Sequence, residues 1–215
     1  MPAGTKNSTG CESMDFKKLY LSDMDRYGKA SPERGLKKLH YYLRKAQAEK
    51  NKLFSLYYRW RYKRIREKFH IEIFPSMKLG KGLYIGHPFG ITVNPKAVLG
   101  DNINLHKGVT VGQENRGPKK GVPTIGNSVW VGVNATIVGN ITIGDDVLIA
   151  PNSYVNCSVP SHSVVFGNPC IIKRKYNATA HYINNPVPMS DPEKEKQIWC
   201  GEEAFLRSLE EEAGK

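Results

Sequence analysis

The chain has 215 residues and a mass of 24.1 kDa, enough for one cored domain with a small appendage, which excludes a peptide scaffold. Hydrophobic residues make up 40% and charged residues 24%, mean hydropathy is -0.48, and no run nears the ~20 apolar residues of a spanning helix, which excludes a membrane-embedded or disordered chain. Lys and Arg number 32 against 20 Asp and Glu, a formal charge of +12 that attracts phosphates, acidic polymers or an anionic membrane face.

A polar leader, 1–29, comes first. It has no apolar h-region, so the expected location is cytoplasmic. Cys11, Cys157, Cys170 and Cys200 lie far apart with no C-x-x-C pair, a usage that suits reduced thiols better than disulfides or zinc.

A basic α-helical segment, 30–70, follows. Ser31-Pro32-Glu33 has the form of an N-cap with proline in the first turn. Leu36, Leu39 and Leu43, then Leu53, Leu56, Tyr57 and Trp60, recur at three- and four-residue steps and predict two helices with buried faces. Lys37, Lys38, Arg44, Arg59, Arg61, Lys63, Arg64 and Lys68 occupy the remaining faces. They suit either a solvated surface or docking on a lipid surface or acidic polysaccharide. No nucleic-acid recognition motif accompanies them.

From 71 to 172 the period changes to six. Ile125, Val131, Ile137, Ile143, Ile149 and Val155 form an unbroken column. Leu79, Ile85, Val93, Leu99, Leu105 and Val111 extend it upstream, with a two-residue slip near His87. One short extended run and one turn per six residues, three to a coil, predict a triangular parallel β-solenoid with aliphatic columns inside and Gly, Asn and Asp at the corners. The polar stretch 112–124 is an extruded loop. The remainder, 173–215, is expected to cap the open end, with Ile198, Phe205 and Leu209 as packing contacts.

These repeats, with the closing Val165-Phe166-Gly167-Asn168-Pro169, resemble the hexapeptide-repeat acyltransferases, and most closely the serine acetyltransferase group. The implied fold is mainly β, a left-handed parallel β-helix with a short N-terminal helical segment. The local match runs from Glu72-Ile73-Phe74-Pro75 to Gly86-His87-Pro88-Phe89-Gly90-Ile91. The resemblance implies acetyl transfer from acetyl-CoA to a hydroxyl, with no metal, in a homotrimer. Histidine suits the task of a general base, being largely neutral at pH 7 when unperturbed. His87 is that candidate, and Glu72, where the family has Asp, is the carboxylate that would orient it. By the same resemblance Gly112, Gln113, Gly132, Val133 and Pro151 would line the CoA groove, with Lys173 near the phosphates.

Acceptor residues are expected around Gly86, Gly121, Val122 and His106. The family places Asp where Gly86 stands and an Arg-His pair where Gly121 and Val122 stand. Charged partners for the ammonium and carboxylate of L-serine are thus missing. This argues for a saccharide acceptor in capsule or exopolysaccharide synthesis, with L-serine as the alternative and a non-enzymatic trimeric scaffold on an anionic surface as the third.

Overall fold

The structure, a computed structural model, describes residues 15–198 and 201–213. Part of the supposed leader is helical. Helix α1 (Phe16–Asp25) starts where the Asp15 carboxylate accepts the Lys17 N–H. Helix α2 (Arg34–Ala48) has Glu33 as N-cap without a side-chain cap bond, so its start lies beyond the expected Ser31 cap. Asn51 caps α3 (Lys52–Arg66) by accepting the N–H groups of Leu53 and Phe54. Leu36, Leu39 and Leu43 are buried as expected, but Leu53, Leu56, Tyr57 and Trp60 are exposed, Leu53 at 77%. The predicted buried face of α3 points outward, and it is Tyr62 on the opposite side that enters the core.

The repeats build three parallel sheets. The first holds β1 (Lys78–Leu79), β4 (Val98–Leu99), β7 (Thr124–Ile125) and β10 (Thr142–Ile143). The second holds β2 (Tyr84–Gly86), β5 (Asn104–His106), β8 (Val129–Val131), β11 (Val147–Ile149) and β13 (Ser163–Phe166), with β14 (Ile171–Arg174) added antiparallel. The third holds β3 (Thr92–Val93), β6 (Thr110–Gly112), β9 (Thr136–Val138) and β12 (Tyr154–Val155). Strand register stacks Leu79, Leu99, Ile125 and Ile143 in one column. It stacks Ile85, Leu105, Val131, Ile149 and Val165 in a second and Val93, Val111, Ile137 and Val155 in a third. All are buried, and each aliphatic side chain removed from water is worth roughly 1.5–3 kcal/mol.

Corners take left-handed backbone, with positive φ at Asn102, Ser128, Asp146 and His162 along one edge and at Gly108, Asn134 and Asn152 along another. Short polar side chains tolerate that region and hydrogen-bond locally there.

β14 lies against β13, the last strand of the stack. After β14 the chain runs back along the prism. Asp146 accepts the N–H groups of Ala178 and Thr179, Asn102 exchanges two bonds with the Val187 backbone, and Asp101 accepts the Ser190 N–H. This strap ends at α4 (Pro192–Ile198) and α5 (Glu202–Ala213), where Ile198 and Phe205 are buried. Cys157 and Cys170, distant in sequence, come to 3.7 Å between sulfurs as free thiols, while Cys11 and Cys200 lie outside the described residues.

Candidate functional site

Buried charge places the helices on the first coil. Asp23 and Arg44, both fully buried, make a two-pronged pair at 2.8 Å on each arm. Asp23 also accepts the Leu83 N–H, and Arg44 donates to the Gly80 carbonyl. Burial pushes the Asp23 carboxyl up, but the Arg44 charge and the bonds from Arg44 and His40 outweigh it, and the net shift is downward. So anchored, α1 delivers Tyr27, whose hydroxyl bonds both backbone groups of Ile85 and Nε2 of His40. Burial holds that phenol protonated.

Tyr27 therefore stands beside β2 and the corner that follows it. There the two-residue slip becomes an enlarged turn between the second and third sheets, with His87 at φ 52° and exposed. His87 opens onto a cleft of about 450 Å³ walled by Tyr27, Glu33, Tyr84, Gly86 and His106. An adjoining polar hollow of about 330 Å³ shares Tyr27, Tyr84 and His106 and adds Arg26, Asn104 and Trp130. Arg26 is buried and donates to the Gly82 and Asn184 carbonyls and to Oδ1 of Asn104. Burial lowers its pKa to about 10.

His106 is the cross-strand partner of Gly86. Its Nδ1 lies 2.9 Å from the Val131 carbonyl, so Nδ1 carries the proton and Nε2 faces the cleft as an acceptor. The ring lies 4.7 Å from the Trp130 ring and 6.2 Å from that of Tyr84. Burial, and secondly the neighbouring His87, lower its pKa against the opposing pull of the carbonyl. It is a neutral imidazole in a fixed tautomer.

The other expected site residues fall in two groups. Gly132, Val133 and Pro151 lie on the same prism edge as His87, between the second and third sheets, on later coils; a Cβ on Gly132 would meet the Pro151 nitrogen at 2.6 Å. Gln113, Gly121 and Val122 belong to the loop between β6 and β7, on the next edge, and Gly112 ends β6 beside it. That loop is closed by the Glu114 and Gly121 backbone pair and tied down by Lys119 on the Asn156 carbonyl. Within one chain the loop and His87 occupy different edges. Lys173 lies on β14, its ammonium 5.7 Å from the Phe166 ring centre.

Glu72 bridges Thr92 on the third sheet and lines a separate hollow with Arg66 and His70. Among the described residues its carboxylate makes no hydrogen bond with His87. The carboxylate that shares the cleft with His87 is Glu33. His162 is structural, bonding Asp146 at 2.9 Å at its corner.

A family model, bacterial transferase hexapeptide (six repeats), matches residues 123–157. Serine acetyltransferase of Staphylococcus xylosus is 38% identical over 134 residues, 60% of this chain and 62% of the relative. Among solved structures, serine acetyltransferase from Brucella abortus strain S19 in complex with Coenzyme A aligns with a TM-score of 0.62 at 27% identity, over 74% of this chain and 68% of that one. Neisseria gonorrhoeae serine acetyltransferase (CysE) in complex with serine aligns with a TM-score of 0.57 at 28% identity, over 74% and 69%. The chain carries hexapeptide repeats on a β-helix fold and is similar to the serine acetyltransferases. It spans between 30% and 63% of the length of the curated relatives it matches.

These matches overturn the expected saccharide acceptor, because relatives at 37–41% identity are named serine acetyltransferases. Gly86, Gly121 and Val122 lie on the repeats and the loop they extrude, and charge reaches the clefts from outside both. The hexapeptide-repeat protein brings Glu33 to the His87 cleft and Arg26 to the adjoining hollow from its N-terminal helices. Neither residue belongs to the six-residue pattern, and neither carries a motif of its own.

Proposed function

We propose that this protein is an acetyl-CoA-dependent L-serine O-acetyltransferase with His87 as general base. The observation that carries the reading is an accessible imidazole, on a corner of the β-helix, in a cleft walled by a carboxylate and adjoining a buried guanidinium. Its company among serine acetyltransferases supports the acceptor.

In this reading Glu33 faces the substrate ammonium, a charge-assisted contact that orients the hydroxyl, while Arg26, buried and bonded to Gly82, Asn184 and Asn104, adds positive potential from behind the wall of the hollow. His87 takes the proton from the serine hydroxyl as its oxygen attacks the thioester carbonyl. The tetrahedral intermediate collapses with cleavage of the C–S bond, and the imidazolium returns its proton to the departing CoA sulfur. Glu72, bridged to Thr92 and lining a separate hollow, makes no hydrogen bond to His87 and takes no part in this mechanism. The pantetheine arm lies along the edge marked by Gly132, Val133 and Pro151. In a homotrimer the loop edge of a neighbouring subunit, with Gly112 and Gln113, forms the facing wall, and Lys173 meets the phosphates.

The test is CoA thiol release from acetyl-CoA with L-serine. His87→Ala should lower kcat by roughly 10²–10⁴-fold, and Glu33→Gln should raise KM for serine. Serine-independent release, or full activity in His87→Ala, refutes the assignment.

A further inference from the structure

Helix α3 is built unlike a helix that belongs only to the domain. Leu53, Leu56, Tyr57 and Trp60 follow one another at three- and four-residue steps and are 77%, 66%, 45% and 54% exposed. A single exposed leucine is ordinary, but a contiguous stripe of large side chains marks a contact surface. The stripe is bordered by cations. Beside it lies a hollow of about 590 Å³ lined by Arg34, Lys38, Arg61, Arg64 and Lys68 together with Trp60 and Phe69. Among the described residues none of these five cations forms an ion pair. On the other border Lys63 meets Glu67 at 3.9 Å across two exposed side chains, which neutralises little.

The two features together select the partner. A polyanion such as nucleic acid or an acidic glycan would use the cations and leave the leucines in water. A second copy of this face would use the apolar stripe but set five cations against five. An anionic bilayer satisfies both, since acyl chains take the apolar stripe while basic side chains reach the headgroups.

We propose that α3 is a membrane-docking helix, lying flat on an anionic lipid surface with Leu53, Leu56, Tyr57 and Trp60 at the acyl boundary and lipid phosphate in the five-cation hollow. This inference is independent of the acyltransferase reading. It would place the enzyme's cleft beside a bilayer without a spanning segment; no helix of the described residues is long and apolar enough to cross one.

The test is cosedimentation of the full chain with vesicles of phosphatidylcholine alone or mixed with phosphatidylglycerol. The protein should pellet with the mixed vesicles, not with the neutral ones, and release at high salt. Arg61→Gln/Arg64→Gln/Lys68→Gln should weaken partitioning by on the order of 100-fold, and Leu53→Ser/Trp60→Ser by about tenfold or more. Both variants should keep the parent's mass by light scattering and its melting temperature, because the changed side chains line the surface. Failure to pellet with mixed vesicles, or equal pelleting with neutral ones, overturns the proposal. So does a fall in mass for Leu53→Ser/Trp60→Ser, which would make the stripe a subunit contact, and so does binding to soluble polyanions alone.

Discussion

Replacing Gly86 with alanine tests how the cleft is held together. A Cβ at this position would fall 2.5 Å from Cδ2 and 2.7 Å from Nε2 of His106, and 3.2 Å from the Tyr84 ring. The imidazole cannot yield freely, because Nδ1 is fixed on the Val131 carbonyl and the ring neighbours Trp130. Overpacking a fitted site costs about 1–3 kcal/mol, and breaking the bond to Val131 adds ~1 kcal/mol. Gly86→Ala should therefore lose roughly 2–4 kcal/mol, a fall in melting temperature of roughly 5–15 °C for a domain of this size. Thermal unfolding followed by circular dichroism measures it. The decisive comparison adds His106→Ala. If the ring causes the strain, Gly86→Ala should cost far less in the His106→Ala background, a coupling of about 1–3 kcal/mol. Equal costs in both backgrounds would refute the explanation. In this geometry His106 occupies the space that a longer side chain at position 86 would need.

Asp23→Asn should cost about 3–5 kcal/mol, since it strands the Arg44 guanidinium in a fully buried site; a urea denaturation midpoint near the parent's would show that the pair is dispensable. Asp146→Ala should free the strap at Ala178 and Thr179, destabilising by roughly 3 kcal/mol and accelerating hydrogen exchange over 176–190. For His106 the pKa is lower in the folded chain than its ordinary value of 6.5. The unfolded chain then binds the extra proton, so stability should fall as pH drops below about 6.5 and level off below the folded value. His106→Asn should flatten that dependence, and parallel pH profiles for the two proteins would count against the burial argument.

The solenoid was legible because its signal is a sum over many equivalent positions. Ile125, Val131, Ile137 and their successors fall in turn into the three stacked columns, and no single residue decides the period. The α3 stripe was legible as a period and misassigned as an environment: a 3.6-residue repeat identifies an apolar face but not what covers it. His87 stood out through the slip in the repeat. Glu33 and Arg26 did not, because tertiary packing of α1 and α2 through Asp23 and Arg44 brings them to the cleft. The strap was invisible for a related reason. Its bonds join single polar groups far apart in the chain, such as Asn102 with Val187, and polar singletons leave no periodic trace.

That strap changes the mechanics of the stack. A solenoid is ordinarily a one-dimensional object, open at two ends and able to fray coil by coil from either. Here the returning segment fastens the fourth coil, through Asp146, to the second, through Asn102 and Asp101, and meets Arg26 of the N-terminal region through the Asn184 carbonyl. The strap over 178–190 is thereby latched along the side of the prism to the segment around Arg26. Peeling the coils it spans first requires the latch to open, so they lose their independence and melt as a closed circuit.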